Sequence, residues 1–518
     1  MRTISMLFLL IIATMPLQAA IIHVPQDQST IQGGINAALE SDTVLVAPAH
    51  YTENLYISGK GITLMSATGR DSTIISPLNL GSDIVFIHLC AGHSNTIKGF
   101  TFTGATRYSC IESDGGNVDV LNCSFVGNWT SADFKATLDL GFGNYIVRGN
   151  HFENNQSGDQ GGGIQMESAV YAIVENNEFI RNTAVHGAGI SMTNSVGAIV
   201  RRNLFVANEA SYYGGAIFVG TAVNSQIYNN TIDSCVSSGF VGGGIALAYS
   251  SADVVYSNII IRCSGYGIFV QSSSNCDIDF NDVYYNTPAE YSGITPPLSS
   301  ISLDPQFWEL PVDYHLNGDS PCIDAGNPQP QFNDVDGSRA DMGAFPVIKL
   351  PPSSFDLLGP PDTFLPPLVT RIPTLSWTQS FCADQTLETV YEISYATDSS
   401  FSDETRIFQI YETAYTFASS LELGTEYWWK VAAYDRYGHT RLSNQTNSFR
   451  IYLPGDINAD DQVSITDIVY LINFLFAGAA APIPLVVGDT NCDSRINISD
   501  AVFLVNYIFA SGPPPCQP

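Results

Sequence analysis

From residue 150 onward the apolar positions fall into short runs that recur about once every 26 residues. The phrases Asn150-His151-Phe152, Asn177-Glu178-Phe179, Asn203-Leu204-Phe205, Asn230-Thr231-Ile232, Asn258-Ile259-Ile260 and Asn281-Asp282-Val283 share one frame. Their asparagines are separated by 27, 26, 27, 28 and 23 residues. Gly163-Ile164, Gly189-Ile190, Ala216-Ile217, Gly244-Ile245 and Gly267-Ile268 keep step with them. So does Phe-x-x-Asn at Phe125/Asn128, Phe152/Asn155, Phe179/Asn182 and Phe205/Asn208. Runs such as Tyr171-Ala172-Ile173-Val174 alternate with turn residues and lack helical spacing, so each unit is strands plus turns. A unit this small cannot cover both of its faces, and stacking successive coils does so. Coils ~4.8 Å apart bury the Ile and Phe columns and let the asparagine amides bond from coil to coil. The expected fold is mainly all-β, beginning with a right-handed parallel β-helix. A leucine-rich solenoid would need a Leu spacing and a helix that the period lacks.

The same frame assigns faces. Ile164/Met166, Ile190/Met192, Ile217/Val219, Ile245/Leu247 and Ile268/Val270 point inward. Gln165/Glu167, Ser191/Thr193, Phe218/Gly220, Ala246/Ala248 and Phe269/Gln271 point outward. Arg148, Glu175 and Arg201 form a ladder of alternating charge. Cys235 and Cys263 become stacked neighbours, either as a disulfide or as buried thiols.

Beyond the repeat, Leu350-Pro351-Pro352 and the prolines up to Pro367 read as a linker over 350–366. Period-2 runs then follow, among them Thr374-Leu375-Ser376-Trp377 and Tyr427-Trp428-Trp429-Lys430, and predict an antiparallel β-sandwich over 367–453. Residues 454–518 change character again. Asp456, Asn458, Asp460, Gln462, Ser464 and Asp467 fall at positions 1, 3, 5, 7, 9 and 12 of a loop. Asp489, Asn491, Asp493, Arg495, Asn497 and Asp500 repeat the pattern 33 residues later. Gln462 and Arg495, at position 7, offer backbone carbonyls and the others side-chain oxygens, the donor set a hard Ca²⁺ takes. Two calcium ions are expected. Each loop leads into one helix, Thr466–Phe476 and Ser499–Phe509, to give a small EF-hand-like helical module. Position 6 is Asp461 in one loop and Ser494 in the other, where EF-hands favour glycine. Cys492 and Cys516 can pair to clamp the second repeat; free thiols are the alternative.

Composition narrows the function. Twenty Lys plus Arg stand against 50 Asp plus Glu, a formal charge of −30 over 518 residues. That field disfavours nucleic acid and anionic membrane surfaces. Arg2, the short apolar run from Met6 to Met15 and the small residues at Ala19-Ala20 read as a signal peptide over 1–20, hence a secreted protein without membrane insertion. Ten cysteines are too few for a disulfide scaffold of this length.

Several segments resemble known families. The stretch Ser29-Thr30-Ile31-Gln32-Gly33-Gly34-Ile35, with Asp42-Thr43-Val44 and Tyr51-Thr52-Glu53, resembles the N-terminal cap and first coil of the pectate-lyase-like β-helix superfamily. Gly214-Gly215-Ala216-Ile217 is similar to repeats of polymorphic outer-membrane passenger proteins. Ser320-Pro321-Cys322, Asp334-Val335-Asp336-Gly337 and Asp341-Met342-Gly343 are similar to the segment that closes many secreted bacterial β-helices. The likeness covers about 21–349. The sandwich resembles a fibronectin type III module, with Trp377 as its core tryptophan and Leu423–Tyr427 as a tyrosine corner. The tail resembles a type I dockerin, which implies a cohesin-type partner met at Ile465-Thr466 and Ile498-Ser499.

The β-helix resemblance implies either a polysaccharide lyase or a glycoside hydrolase, or a non-catalytic adhesin or surface-layer component, because the fold hosts all of them. Glu167, Asp159 and His186 are the catalytic candidates, with Glu167 the one acid on the best-defined outward face. Tyr212, Tyr213, Phe218, Phe240, Tyr249, Tyr266 and Phe269 cluster on or beside that face. They can serve as a polysaccharide platform or simply cover the sheet.

Overall fold

The computed structural model describes residues 19–88, 90–131, 135–360, 371–384 and 387–516. The expected signal peptide falls almost wholly outside them. The chain divides into two compact units, Met1–Val347 and Ile348–Pro518.

The first unit is a parallel β-helix. Eleven strands, from Ile21–Val24 to Asp277–Asp279, make one sheet; two further sheets have ten strands each, and a short one has five. One turn of the helix visits Asn144–Arg148, His151–Glu153, Gln156–Ser157 and Ile164–Glu167 in order. Each strand then pairs in parallel with its counterpart one coil on, as Ile164, Gln165, Met166 and Glu167 do with Ile190, Ser191, Met192 and Thr193.

Repetition in the sequence becomes columns in space. The Asn150 amide donates to the Asn177 side-chain oxygen at 3.0 Å, and the ladder continues through Asn203, Asn230 and Asn258 to Asn281 with steps of 2.9–3.0 Å. A second ladder joins Asn128, Asn155, Asn182 and Asn208. Both satisfy turn backbone groups that would otherwise be stranded in the interior. Asn208 donates in turn to the Cys235 sulfur at 3.8 Å, so Cys235 and Cys263 occupy the asparagine column. Both are buried free thiols, which decides between the two expectations for this pair.

Phe125, Phe152, Phe179 and Phe205 stack with centroids 4.7–4.8 Å apart. This column accounts for Gly163 and Gly189, whereas Gly244 and Gly267 face Ile260 and Val283. A Cβ on Gly163 would stand 2.8 Å from the Phe179 ring, and one on Gly189 would stand 2.7 Å from Phe205. Where the next coil carries Ile232 in place of Phe, the glycine gives way to Ala216. The charge ladder also forms: Glu175, 6% exposed, accepts from Arg148 Nε at 2.5 Å and Arg201 Nε at 2.6 Å.

At the start of the unit, helix α1 (Ile31–Ala37) is capped by Thr30 and buries Ile31 and Ile35 in the core cluster that holds Val24 and Val44. At its end, the segment after residue 304 folds back along the β-helix. Tyr314 donates to buried Asp233 at 2.6 Å, and the Ala344 N–H donates to Thr231 Oγ1 at 2.9 Å.

In the second unit, Thr374–Trp377 pairs with Leu357–Gly359 and Ala414–Thr416. A larger antiparallel sheet is centred on Val390–Ala396 and Thr425–Tyr434. Leu357–Gly359 comes from the stretch expected to be linker. It is recruited because Leu357 and Phe355 supply apolar cover for Trp377 and Tyr391. Trp377 is buried, and the Tyr427 hydroxyl accepts from the Glu422 N–H at 3.1 Å. Helices α2 (Ile465–Ala477) and α3 (Ile498–Ala510) follow and pack through Ile468, Leu471, Ala501 and Leu504.

Candidate functional site

The two acidic loops have one construction. Asp456 accepts the N–H groups of Asp460 and Asp461 at 3.0 and 2.9 Å, and Asp489 accepts those of Asp493 and Ser494 at 3.1 and 2.9 Å. Asp467 accepts Ile457, Asn458 and Ser464; Asp500 accepts Thr490, Asn491 and Asn497. Asp467 and Asp500 thereby serve twice, at loop position 12 and as the third residue of a helical capping box.

Ligand atoms of Asp456, Asp460 and Asp467 all lie within 4.8 Å of one another, alone among such trios in the described residues. Burial, with Asp467 and Asp460 close by, pushes the Asp456 carboxyl above its ordinary range, although the Asp460 N–H opposes it. Three crowded carboxylates of hard oxygen, with short amide and hydroxyl side chains around them, fit a divalent cation such as Ca²⁺. Cys492 and Cys516 form a disulfide beside the second loop. Both helices also leave a matching apolar stripe exposed: Ile465, Val469, Ile472 and Phe476 on α2, and Ile498, Val502, Val505 and Phe509 on α3.

On the β-helix, Asp159 and His186 are neighbours, with the His186 N–H donating to the Asp159 carbonyl at 3.0 Å. Glu167 stands at the far end of its strand, exposed, and no hydrogen bond or ion pair joins it to them. Of the three candidates, the structure brings together Asp159 and His186 and leaves Glu167 apart from them. His186 packs against Tyr213 and Phe218, its Nδ1 buried without a partner, and burial lowers its pKa against the pull of Asp159.

Tyr212, Tyr213, Phe218, Phe269 and Tyr266 form a chain of ring contacts, but the seven aromatics are not one exposed row. Tyr213 stacks on Phe218 at 5.2 Å and reaches Phe269 at 6.1 Å; Tyr266 meets Phe269 at 6.3 Å. Phe218 is only 8% exposed, because it fills the space over small Ala246 and Ala248. Tyr212, Phe240 and Tyr249 are the open rings, at 46%, 58% and 60%.

A cluster that the sequence reading missed lies on the same face, toward the N-terminal end. In the outward column, Glu112 is in register with Asp139, Asp139 with Gln165, Gln165 with Ser191 and Ser191 with Phe218. Lys135 reaches over this column, its Nζ 2.5 Å from Glu112 and 3.4 Å from Asp139. Asp83 adjoins Glu112 and accepts the Ser109 N–H at 2.8 Å. Burial raises Asp83 to about 7, helped by the Glu112 charge. Asp139 also rises to about 7, again by burial, which outweighs Lys135; Glu112 and Glu167 add to the rise. Extending the period backward from Ile164 to Leu138 and Ile111 would have found both acids. The missing Gly-Ile phrase in those coils hid them.

Residues 85–241 and 205–295 match the right handed beta helix region family, and residues 454–509 match the dockerin type I domain. No curated protein matches the chain significantly. Among solved structures, two of the PL6 family alginate lyase AlyGC, one of them a variant, are 13% and 12% identical, with TM-scores of 0.31 and 0.32. They cover 55% of this chain, which spans about half the length of theirs, 51% and 50%. The A-module of the Azotobacter vinelandii mannuronan C-5 epimerase AlgE6 is 14% identical, with a TM-score of 0.23, over 53% of this chain and 95% of its own. The chain thus carries a right-handed β-helix region and, after the sandwich, a dockerin type I domain.

Proposed function

We propose that this is a secreted modular protein. Its β-helix engages extracellular polysaccharide, a fibronectin type III-like sandwich spaces it, and a calcium-dependent tail tethers it to a cohesin-type partner. The observation that carries the tether is the shared backbone bonding of Asp456 and Asp467 in one loop and of Asp489 and Asp500 in the other, each loop followed by a helix with the same exposed apolar stripe. Dockerin type I domains bind calcium and cohesins. Each loop holds one ion through its position 1, 3, 5, 9 and 12 side chains and the backbone carbonyl of Gln462 or Arg495. A bound ion supplies the positive charge that these crowded carboxylates lack, and so fixes the stripes that begin at Ile465-Thr466 and Ile498-Ser499 for the partner. Among the described residues no helix is long and apolar enough to cross a membrane.

Tyr212, Phe240 and Tyr249 are the rings open to a sugar face, and Tyr213, Tyr266, Phe218 and Phe269 support them. The burial of Phe218 favours a second reading, in which the rings only cover the sheet of a non-catalytic adhesin or surface-layer component. The test is retention of the calcium-loaded protein on immobilised polysaccharides, with and without a Tyr212→Ala/Phe240→Ala/Tyr249→Ala triple change. Loss of retention at an unchanged thermal midpoint supports the platform. Retention that ignores the three rings refutes it. For the tail, chelation is expected to lower helicity and protease resistance at 454–518; a tail indifferent to chelator removes the calcium assignment.

A further inference from the structure

Glu112 and Asp139 stand on adjacent coils of one outward column, and Lys135 contacts both. Their side chains are 19% and 13% exposed and that of Lys135 is 21%, so the cluster is recessed but open to the surface. A structural ion-pair network would satisfy its own neighbours, and this one does not. Gln165, in register with Asp139 on the same face, is 1% exposed, and neither its side-chain nitrogen nor its oxygen has a partner. A buried amide with both ends unpaired beside a recessed carboxyl is a vacant donor–acceptor pair at the floor of a site.

Resting on the polysaccharide reading above, we propose that Asp139 and Glu112 are the catalytic acid–base and the nucleophile of a glycoside hydrolysis site for neutral glycans, with Lys135 as the positioning residue and Gln165 as a sugar-hydroxyl contact. Asp139 gives its proton to the glycosidic oxygen as the bond from that oxygen to the anomeric carbon breaks. The Glu112 carboxylate forms a bond to the anomeric carbon in the same step, because the two carboxyls contact one ammonium at 2.5 and 3.4 Å and stand too close for a water molecule to attack between them. Water then attacks that carbon, its proton passing to the Asp139 carboxylate as the bond to Glu112 breaks, which restores both groups. Asp139 is buried and raised to about 7, as a proton donor requires, and Glu112 makes the shorter contact with Lys135.

The charge of the site selects the substrate class. Lys135, the cation of the cluster, is already paired with Glu112 and Asp139, so it offers no free positive charge to a uronate carboxylate, and the chain as a whole carries a net charge of −30. Lys135 is moreover held protonated: burial opposes its charge, but Glu112 and Asp139 prevail. It is therefore not a free base for β-elimination. Three coil steps along the column separate Asp139 from Phe218, about 14 Å at the usual strand spacing. A glycan lying along the face reaches both the cluster and the aromatic patch.

The experiment is incubation of the full, calcium-loaded chain with β-glucan, xylan, mannan and galactan. Reducing ends and 235 nm absorbance are followed, and retention on the same polysaccharides is measured separately. Reducing ends without absorbance are expected on at least one of them, with a rate that falls as pH rises through about 7. Asp139→Asn and Glu112→Gln should each lower that rate by about 10²–10⁴-fold while keeping retention and the thermal midpoint. Retention without reducing ends overturns hydrolysis and leaves the binding reading intact; loss of retention as well removes both. Growth at 235 nm overturns the proposal in favour of elimination. A rate indifferent to pH near 7 overturns the role of Asp139 even if its variant fails to fold.

Discussion

Asp461 and Ser494 occupy the same place, position 6, in the two acidic loops and share one left-handed backbone conformation, φ 64° in each. Glycine adopts this geometry freely, whereas a side chain is strained by its Cβ, by about 1 kcal/mol. Ser494 has no side-chain ion pair in compensation, while Asp461 is paired with Arg450. Ser494→Gly should therefore tighten calcium binding at the second loop by several-fold. Calorimetric titration of the full chain with calcium checks this, and unchanged affinity would show that the loop's other bonds absorb the strain.

Gly189 is fixed by its neighbours rather than by its own backbone. A Cβ there would stand 2.7 Å from both the Phe205 ring and the Ala216 carbonyl oxygen. Gly189→Ala should destabilise the β-helix by about 1–3 kcal/mol. Adding Phe205→Ile, which copies the Ala216/Ile232 coil, should cost less than the two single changes together. Thermal unfolding of the four proteins measures the coupling. Strict additivity would mean that the ring is not what excludes the methyl group.

Glu175 links stability to pH. Burial pushes its pKa up, but the hydrogen bond and charge of Arg201, with Arg148, prevail and hold it below 4.5. A carboxyl with a depressed folded pKa stabilises fully above its unfolded pKa, and that contribution is lost as pH falls through the folded value. Glu175→Gln should lower the stability of the β-helix by about 1–3 kcal/mol at neutral pH, between the range of exposed pairs and that of buried ones. The gap to the parent should narrow as pH drops below 4.5. Thermal midpoints of both proteins between about pH 3 and 7 test the sign, and a gap that widens on acidification would contradict it.

The columns of the β-helix were legible because their chemistry repeats at the coil period. An asparagine amide or a phenylalanine ring meets its own kind one coil away, so spacing along the chain alone states the contact. The Arg148/Glu175/Arg201 ladder and the twin acidic loops were readable for the same reason, each lying at a fixed interval in one frame. Frame arguments stop where partners differ in kind or come from loops. Glu112 and Asp139 lie in coils without the Gly-Ile phrase, and Lys135 arrives from outside the strands, so only stacking brings the three together. The burial of Phe218 over Ala246 and Ala248 depends on how much space small residues leave one coil away. The separation of Glu167 from Asp159 and His186 follows from their places, Glu167 ending its strand while the other two lie in the connections that precede strands. Sequence determined which residues recur and therefore which fold forms, because periodicity is a one-dimensional property. Tertiary structure decided which unlike groups meet, how deeply each is buried and which carboxyls are raised, because desolvation and charge act through space across coils.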